Sequence, residues 1–118
     1  MTAGLYDIVI EQGTTWSLSL TWKDGEGDPI VLTGYSARMQ IRGSYEDPQP
    51  MVELISTGAN PRIVLNAETG GIALTIEETV SRSLVPGHAV YDMELVSPSG
   101  VVTRLLEGSV MIRPEVTR

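Results

Sequence analysis

The chain has 118 residues, with 15 Asp and Glu against 8 Lys and Arg for a formal charge of −7, 42% apolar residues, 12 Gly, 7 Pro and no Cys. That length and apolar content suit a domain that buries its own core, and the missing cysteines exclude a disulfide framework. The acidic balance, with Lys23 the one lysine and no basic run, opposes binding to a nucleic-acid backbone; no apolar stretch is long enough for a membrane span or a signal peptide.

Along the chain the apolar residues recur with period two, the pattern of half-buried strands. Residues 6–10 form a first short β run. In residues 14–22, Trp16, Leu18, Leu20 and Trp22 share one face, and Thr15, Ser17, Ser19 and Thr21 share the other. Residues 23–30 are rich in Asp, Gly and Pro and predict a hairpin turn. Tyr35, Ala37, Met39 and Ile41 then alternate with Ser36, Arg38, Gln40 and Arg42. Shorter runs follow at 52–55, 63–65 and 72–75. The period breaks at Thr75 to Glu78, whose spacing is that of a capping box, and Ile76, Val80 and Leu84 form an apolar stripe ended by Pro86-Gly87. This predicts a short helix over 76–84. Ala89, Tyr91, Met93 and Leu95 alternate with Asp92 and Glu94, residues 97–100 predict a second hairpin turn, and runs at 101–106 and 110–112 complete about nine strands of a sandwich or small barrel. A one-residue slip would move the tryptophans or the arginines to the wrong face, so register is strongly specified.

Few residues carry the marks of chemistry. Asp24, Glu26 and Asp28 alternate in a Gly-rich loop, but the twelfth position from Asp24 is Tyr35 where a calcium loop would place a bidentate Glu, so they read as a solvated turn. His88 is the single histidine; no nucleophile-elbow spacing surrounds any serine, and one His without Cys does not make an ordinary zinc site. Asp92 and Glu94 share a strand face, which suits a carboxylate pair, yet that face is read as the solvent side, where burial does little to raise a pKa. Trp16 and Trp22 are expected in the core and Tyr45 in an exposed loop. No catalytic residue, metal ligand or cofactor is expected.

A composite pattern goes further. Tyr6-Asp7-Ile8-Val9-Ile10-Glu11-Gln12-Gly13-Thr14-Thr15, then Leu20-Thr21-Trp22-Lys23-Asp24-Gly25, then Asp28-Pro29-Ile30-Val31-Leu32-Thr33-Gly34-Tyr35 running into Ser36-Ala37-Arg38-Met39-Gln40-Ile41-Arg42 resembles small tailed-bacteriophage virion proteins. It is similar to the N-terminal β-sandwich modules of phage baseplate and receptor-binding-protein adaptors, and Val90 to Leu95 with Ser97-Pro98-Ser99-Gly100 fits their small standalone members. Together with the strand pattern and the short helix near 76–84, the resemblance implies an all-β fold, one antiparallel immunoglobulin-like β-sandwich over residues 1–118. It implies a non-enzymatic structural subunit of the virion, in the tail, baseplate or fibre attachment, assembled in the host cytoplasm. Its partners would be other phage structural proteins in a symmetric oligomer, with no nucleic acid and no membrane. A capsid-decoration or neck protein, or a host-glycan-binding module, are the alternatives. Because an N-terminal strand tends to occupy a sheet edge, where N–H and C=O groups await a partner, Tyr6, Ile8 and Ile10 are the candidate assembly strand.

Overall fold

The computed structural model describes residues 4–117. Its elements are β1 (Gly4–Leu5), β2 (Ile8–Glu11), β3 (Trp16–Thr21), β4 (Ser36–Arg42), β5 (Val52–Ile55), β6 (Ile63–Asn66), β7 (Gly71–Ile76), α1 (Glu78–Ser81), β8 (Gly87–Val96) and β9 (Val102–Arg113). The larger of two sheets has the order β1-β9-β8-β4-β5, with β2 also beside β9; the smaller has the order β3-β7-β6. β1 and β2 run parallel to β9, and every other pairing is antiparallel.

Alternation explains the core. Ala37, Met39 and Ile41 of β4 and Ala89, Tyr91, Met93 and Leu95 of β8 turn inward from the larger sheet, and Ile63, Ile72, Leu74 and Ile76 meet them from the smaller. Each fully buried Ile or Leu contributes about 1.5–3 kcal/mol relative to an exposed position. The outward residues of β4, Ser36, Arg38, Gln40 and Arg42, are polar as the period-two pattern requires.

Several local expectations are corrected. The helix is the single turn Glu78–Ser81, its N-cap is Glu77, and no side chain caps it. Thr75 and Ile76 belong to β7 instead, because Ile76 is fully buried opposite Trp16 and the Thr75 N–H donates to the Arg62 carbonyl; core burial outweighs the local capping signal. The turn instead works as a clamp. The buried Ser81 hydroxyl donates to the Thr14 carbonyl at 2.7 Å and accepts the Gly13 N–H at 3.1 Å, holding the 12–15 crossover between β2 and β3.

Residues 23–30 do fold back on themselves, with an antiparallel bridge of Lys23 to Pro29 and the Ile30 N–H donating to the Trp22 carbonyl, but β3 and β4 lie in different sheets, so this turn does not pair the two strands it connects. The 97–100 turn does join a hairpin, β8 to β9, with Gly100 at φ 90° and the Ser97 N–H donating to the Val101 carbonyl. The first β run is interrupted at Tyr6-Asp7, whereas the last two runs fuse into β9. Gly108 lets that strand continue: a Cβ there would lie 2.3 Å from the Tyr6 carbonyl oxygen.

A bulge also shapes β9. Met93 pairs with Leu106 but Glu94 pairs with Arg104, leaving Leu105 as an extra residue. The added residue reverses the facing of what precedes it and sends Arg104 to the outer face of the sheet beside Glu94.

Candidate functional site

The strand singled out from sequence lies at the edge of the larger sheet. Tyr6 sits between β1 and β2, half exposed; its N–H donates to the Glu107 carbonyl at 3.0 Å and its carbonyl accepts the Tyr91 hydroxyl at 2.6 Å. Ile8 and Ile10 are 3% and 0% exposed, so their side chains belong to the core. What this edge presents outward is backbone, together with the exposed side chains of Leu5 and Val9. The N–H groups of Tyr6 and Gln12 bond to β9. Since parallel ladders bond alternate residues, the backbone groups of Val9 face away from the sheet.

The edge is pinned by two side chains. The Asp7 carboxylate accepts the Ser109 N–H at 3.1 Å, and that hydrogen bond, helped by the nearby His88, holds its pKa below the ordinary range. Burial, with smaller contributions from the charge of Asp7 and from Tyr6, pushes the Tyr91 hydroxyl up to about 12. A phenol whose pKa is raised on folding stabilises the fold below its unfolded pKa and loses that contribution as pH climbs toward the folded one. Thermal stability is therefore expected to fall between pH 10 and pH 12 more steeply in the wild type than in Tyr91→Phe, measured by circular-dichroism melts across that range.

On the outer face of the larger sheet, β4, β8 and β9 assemble an open depression of about 370 Å³ lined by Arg38, Arg42, Tyr45, Asp92, Glu94, Arg104 and Glu107 among others. Arg38 bonds Glu94 at 2.8 Å, and Arg104 reaches Asp92 and Glu107, each at 3.4 Å. Partial burial raises the Asp92 pKa; Arg104 opposes the rise, and Glu94 and Glu107 add to it. Asp92 and Glu94 thus do share a face, as the alternation implied, and each is engaged by an arginine from a neighbouring strand. The three partners Arg38, Arg104 and Glu107 are distant in sequence and carried no motif; the bulge at Leu105 delivers one of them. Tyr45 stands at the rim with 83% of its surface exposed.

The remaining candidates are dispersed. The Asp24 carboxylate accepts the N–H groups of Glu26 and Asp28 at 2.9 and 3.0 Å, the work of a turn residue. Among the described residues, no three His, Cys, Asp or Glu side chains gather where a metal ion would fit. His88 is exposed in β8, paired with Met111. Trp16 and Trp22 are half-buried against the core, and Trp22 meets Tyr35 edge to face with ring centroids 6.1 Å apart. Compared with models of known protein families and with curated protein sequences, the chain matches none.

Proposed function

We propose that this chain is a structural subunit of a bacteriophage virion, placed in the tail, baseplate or fibre attachment, that acts by assembling with other phage structural proteins and performs no chemical step. The observation that carries this reading is the flank formed by β2 and β3. The short 12–15 crossover joins these two strands, each is the edge of its sheet, and neither has a neighbour on its outer side among the described residues. Unpaired edge backbone is a ready template for another chain. The resemblance of residues 6–42 to phage adaptor modules supplies the class of partner.

The strand order supports an immunoglobulin-like reading of the fold. With β1 and β2 taken as one interrupted first strand, β3, β7 and β6 correspond to the second, fifth and fourth strands of that plan, and β9, β8 and β4 to its seventh, sixth and third, with β5 added outside β4 as in variable-type domains. This chain lacks the cysteine pair that bridges the sheets of antibody domains.

The test is Val9→Pro, which removes an outward N–H and leaves the β9 ladder intact, a substitution that edge strands tolerate. The variant is expected to melt like the wild type and to be missing from phage particles produced in its presence, as read by particle composition. Wild-type incorporation of a folded Val9→Pro chain counts against assembly at this edge. A second reading, host-glycan binding, is favoured by one observation, the exposed Tyr45 ring beside the charged depression. It requires that glycan-array binding be present and be abolished by Tyr45→Ala.

A further inference from the structure

Among the described residues, Arg38, Arg62, Arg82, Arg104 and Arg113 each meet a carboxylate at 3.6 Å or closer. Arg42 is the one described arginine that does not. Its guanidinium donates to the Asp47 carbonyl at 2.6 Å and to the side-chain oxygen of Gln40 at 2.7 Å, both of them neutral acceptors. The Asp47 carboxylate turns instead to the N–H and hydroxyl of Ser44. Two of the five guanidinium N–H donors are thus occupied, which fixes the planar head and leaves its charge without an anion. In a chain with 15 Asp and Glu against 8 Lys and Arg, acids are in excess, so an arginine without one needs a reason. Arg42 lines the open depression of about 370 Å³ on the outer face of the larger sheet, beside Tyr45, Asp92, Glu94 and Glu107.

We infer that this depression binds a glycan bearing a carboxylate, a sugar acid whose anion is met by Arg42. This names the ligand class for the host-glycan reading and rests on it. The lining selects the class. The volume falls at the small end of the roughly 300–1,000 Å³ of small-ligand sites. The exposed Tyr45 ring offers a flat face to the apolar side of a sugar ring. Asp92 and Glu107 share Arg104 at 3.4 Å each, and Glu94 is bonded to Arg38 at 2.8 Å, so lone pairs stay open on all three carboxylates to accept sugar hydroxyls. Those same carboxylates disfavour an acidic peptide, which would set a run of like charges beside them. A sugar acid brings a single charge, for Arg42, and hydroxyls for the rest. Arg38, Arg42 and Arg104 offset Asp92, Glu94 and Glu107, so the depression is neutral within a chain of −7, and one anion is repelled less there than over the acidic remainder.

The experiment is an array probed with the whole chain and printed with uronic-acid and sialic-acid glycans, the same glycans with the carboxyl reduced to an alcohol, and poly-glutamate. The expected result is binding to the acidic glycans that weakens at least about tenfold on carboxyl reduction, the loss of a charge-assisted pair. Arg42→Gln, with a wild-type melt, is expected to weaken binding to the unreduced glycans by as much. The reduction arm needs no variant, so it decides the matter even where the substitution disturbs the 43–50 loop. Equal binding of acidic and reduced glycans, or undiminished binding by a folded Arg42→Gln chain, overturns the proposal and leaves the glycan reading standing. Binding of poly-glutamate as strong as that of the acidic glycans overturns the sugar class. An array on which no glycan binds overturns both the glycan reading and this one.

Discussion

Ile8→Lys is expected to unfold the chain. Ile8 is 3% exposed in β2 and faces the shared core of both sheets. Truncating such a residue to alanine costs about 2–5 kcal/mol. Lysine at the same site also brings an ammonium group into a core that, among the described residues, buries no carboxylate, and burying an unpaired charge adds several kcal/mol more, roughly the whole stability of a domain that is stable by about 5–15 kcal/mol. The far-ultraviolet spectrum and the cooperative melt should both be lost. Val9→Lys, one residue on and exposed, is expected to melt within about 0.5 kcal/mol of the wild type, as surface changes do. A cooperative wild-type melt for Ile8→Lys would mean that β2 is not part of the stabilising core.

The contrast between Ile8 and Val9 shows what alternation makes legible. In β3, β4 and β8 the period-two pattern alone separates the two faces, and the edge position of the first strand follows from its place at the start of the chain. Alternation does not say which parity of the first strand faces inward, because Ile8, Val9 and Ile10 are all apolar; the parallel register with β9 decides it. The helix is shorter than its sequence signal predicts for a related reason. The spacing of Thr75 and Glu78 is a local signal, whereas Ile76 is held in β7 by contacts with residues far away in sequence. The charged depression lay beyond reach except for Asp92 and Glu94, since Arg38 and Arg104 reach them only through the strand order β9-β8-β4 and through a bulge that a run such as Thr103-Arg104-Leu105-Leu106 does not announce.

Glu107-Gly108-Ser109 read as a break between two strands, and the reason it is not one leads to the second large effect. Gly108→Ala places a methyl group 2.3 Å from the carbonyl oxygen of Tyr6 and 2.9 Å from its carbonyl carbon. These are backbone atoms, so no rotamer relieves the clash, and the 4–11 segment must move off β9. Overpacking of this kind costs about 1–3 kcal/mol. The displacement also withdraws the acceptor of the buried Tyr91 hydroxyl, and a lost hydrogen bond that strands its donor costs about 1–3 kcal/mol more. Chemical denaturation should register the sum as a lower midpoint, and hydrogen exchange should show the amides of Ile8 and Ile10 losing protection before those of β4 and β8. If the two residues act through the same contact with Tyr6, Tyr91→Phe must cost less in the Gly108→Ala background than in the wild type, because the bond it removes is already broken. Additive losses would instead mean that the close approach of Gly108 and the Tyr91 bond stabilise the edge separately.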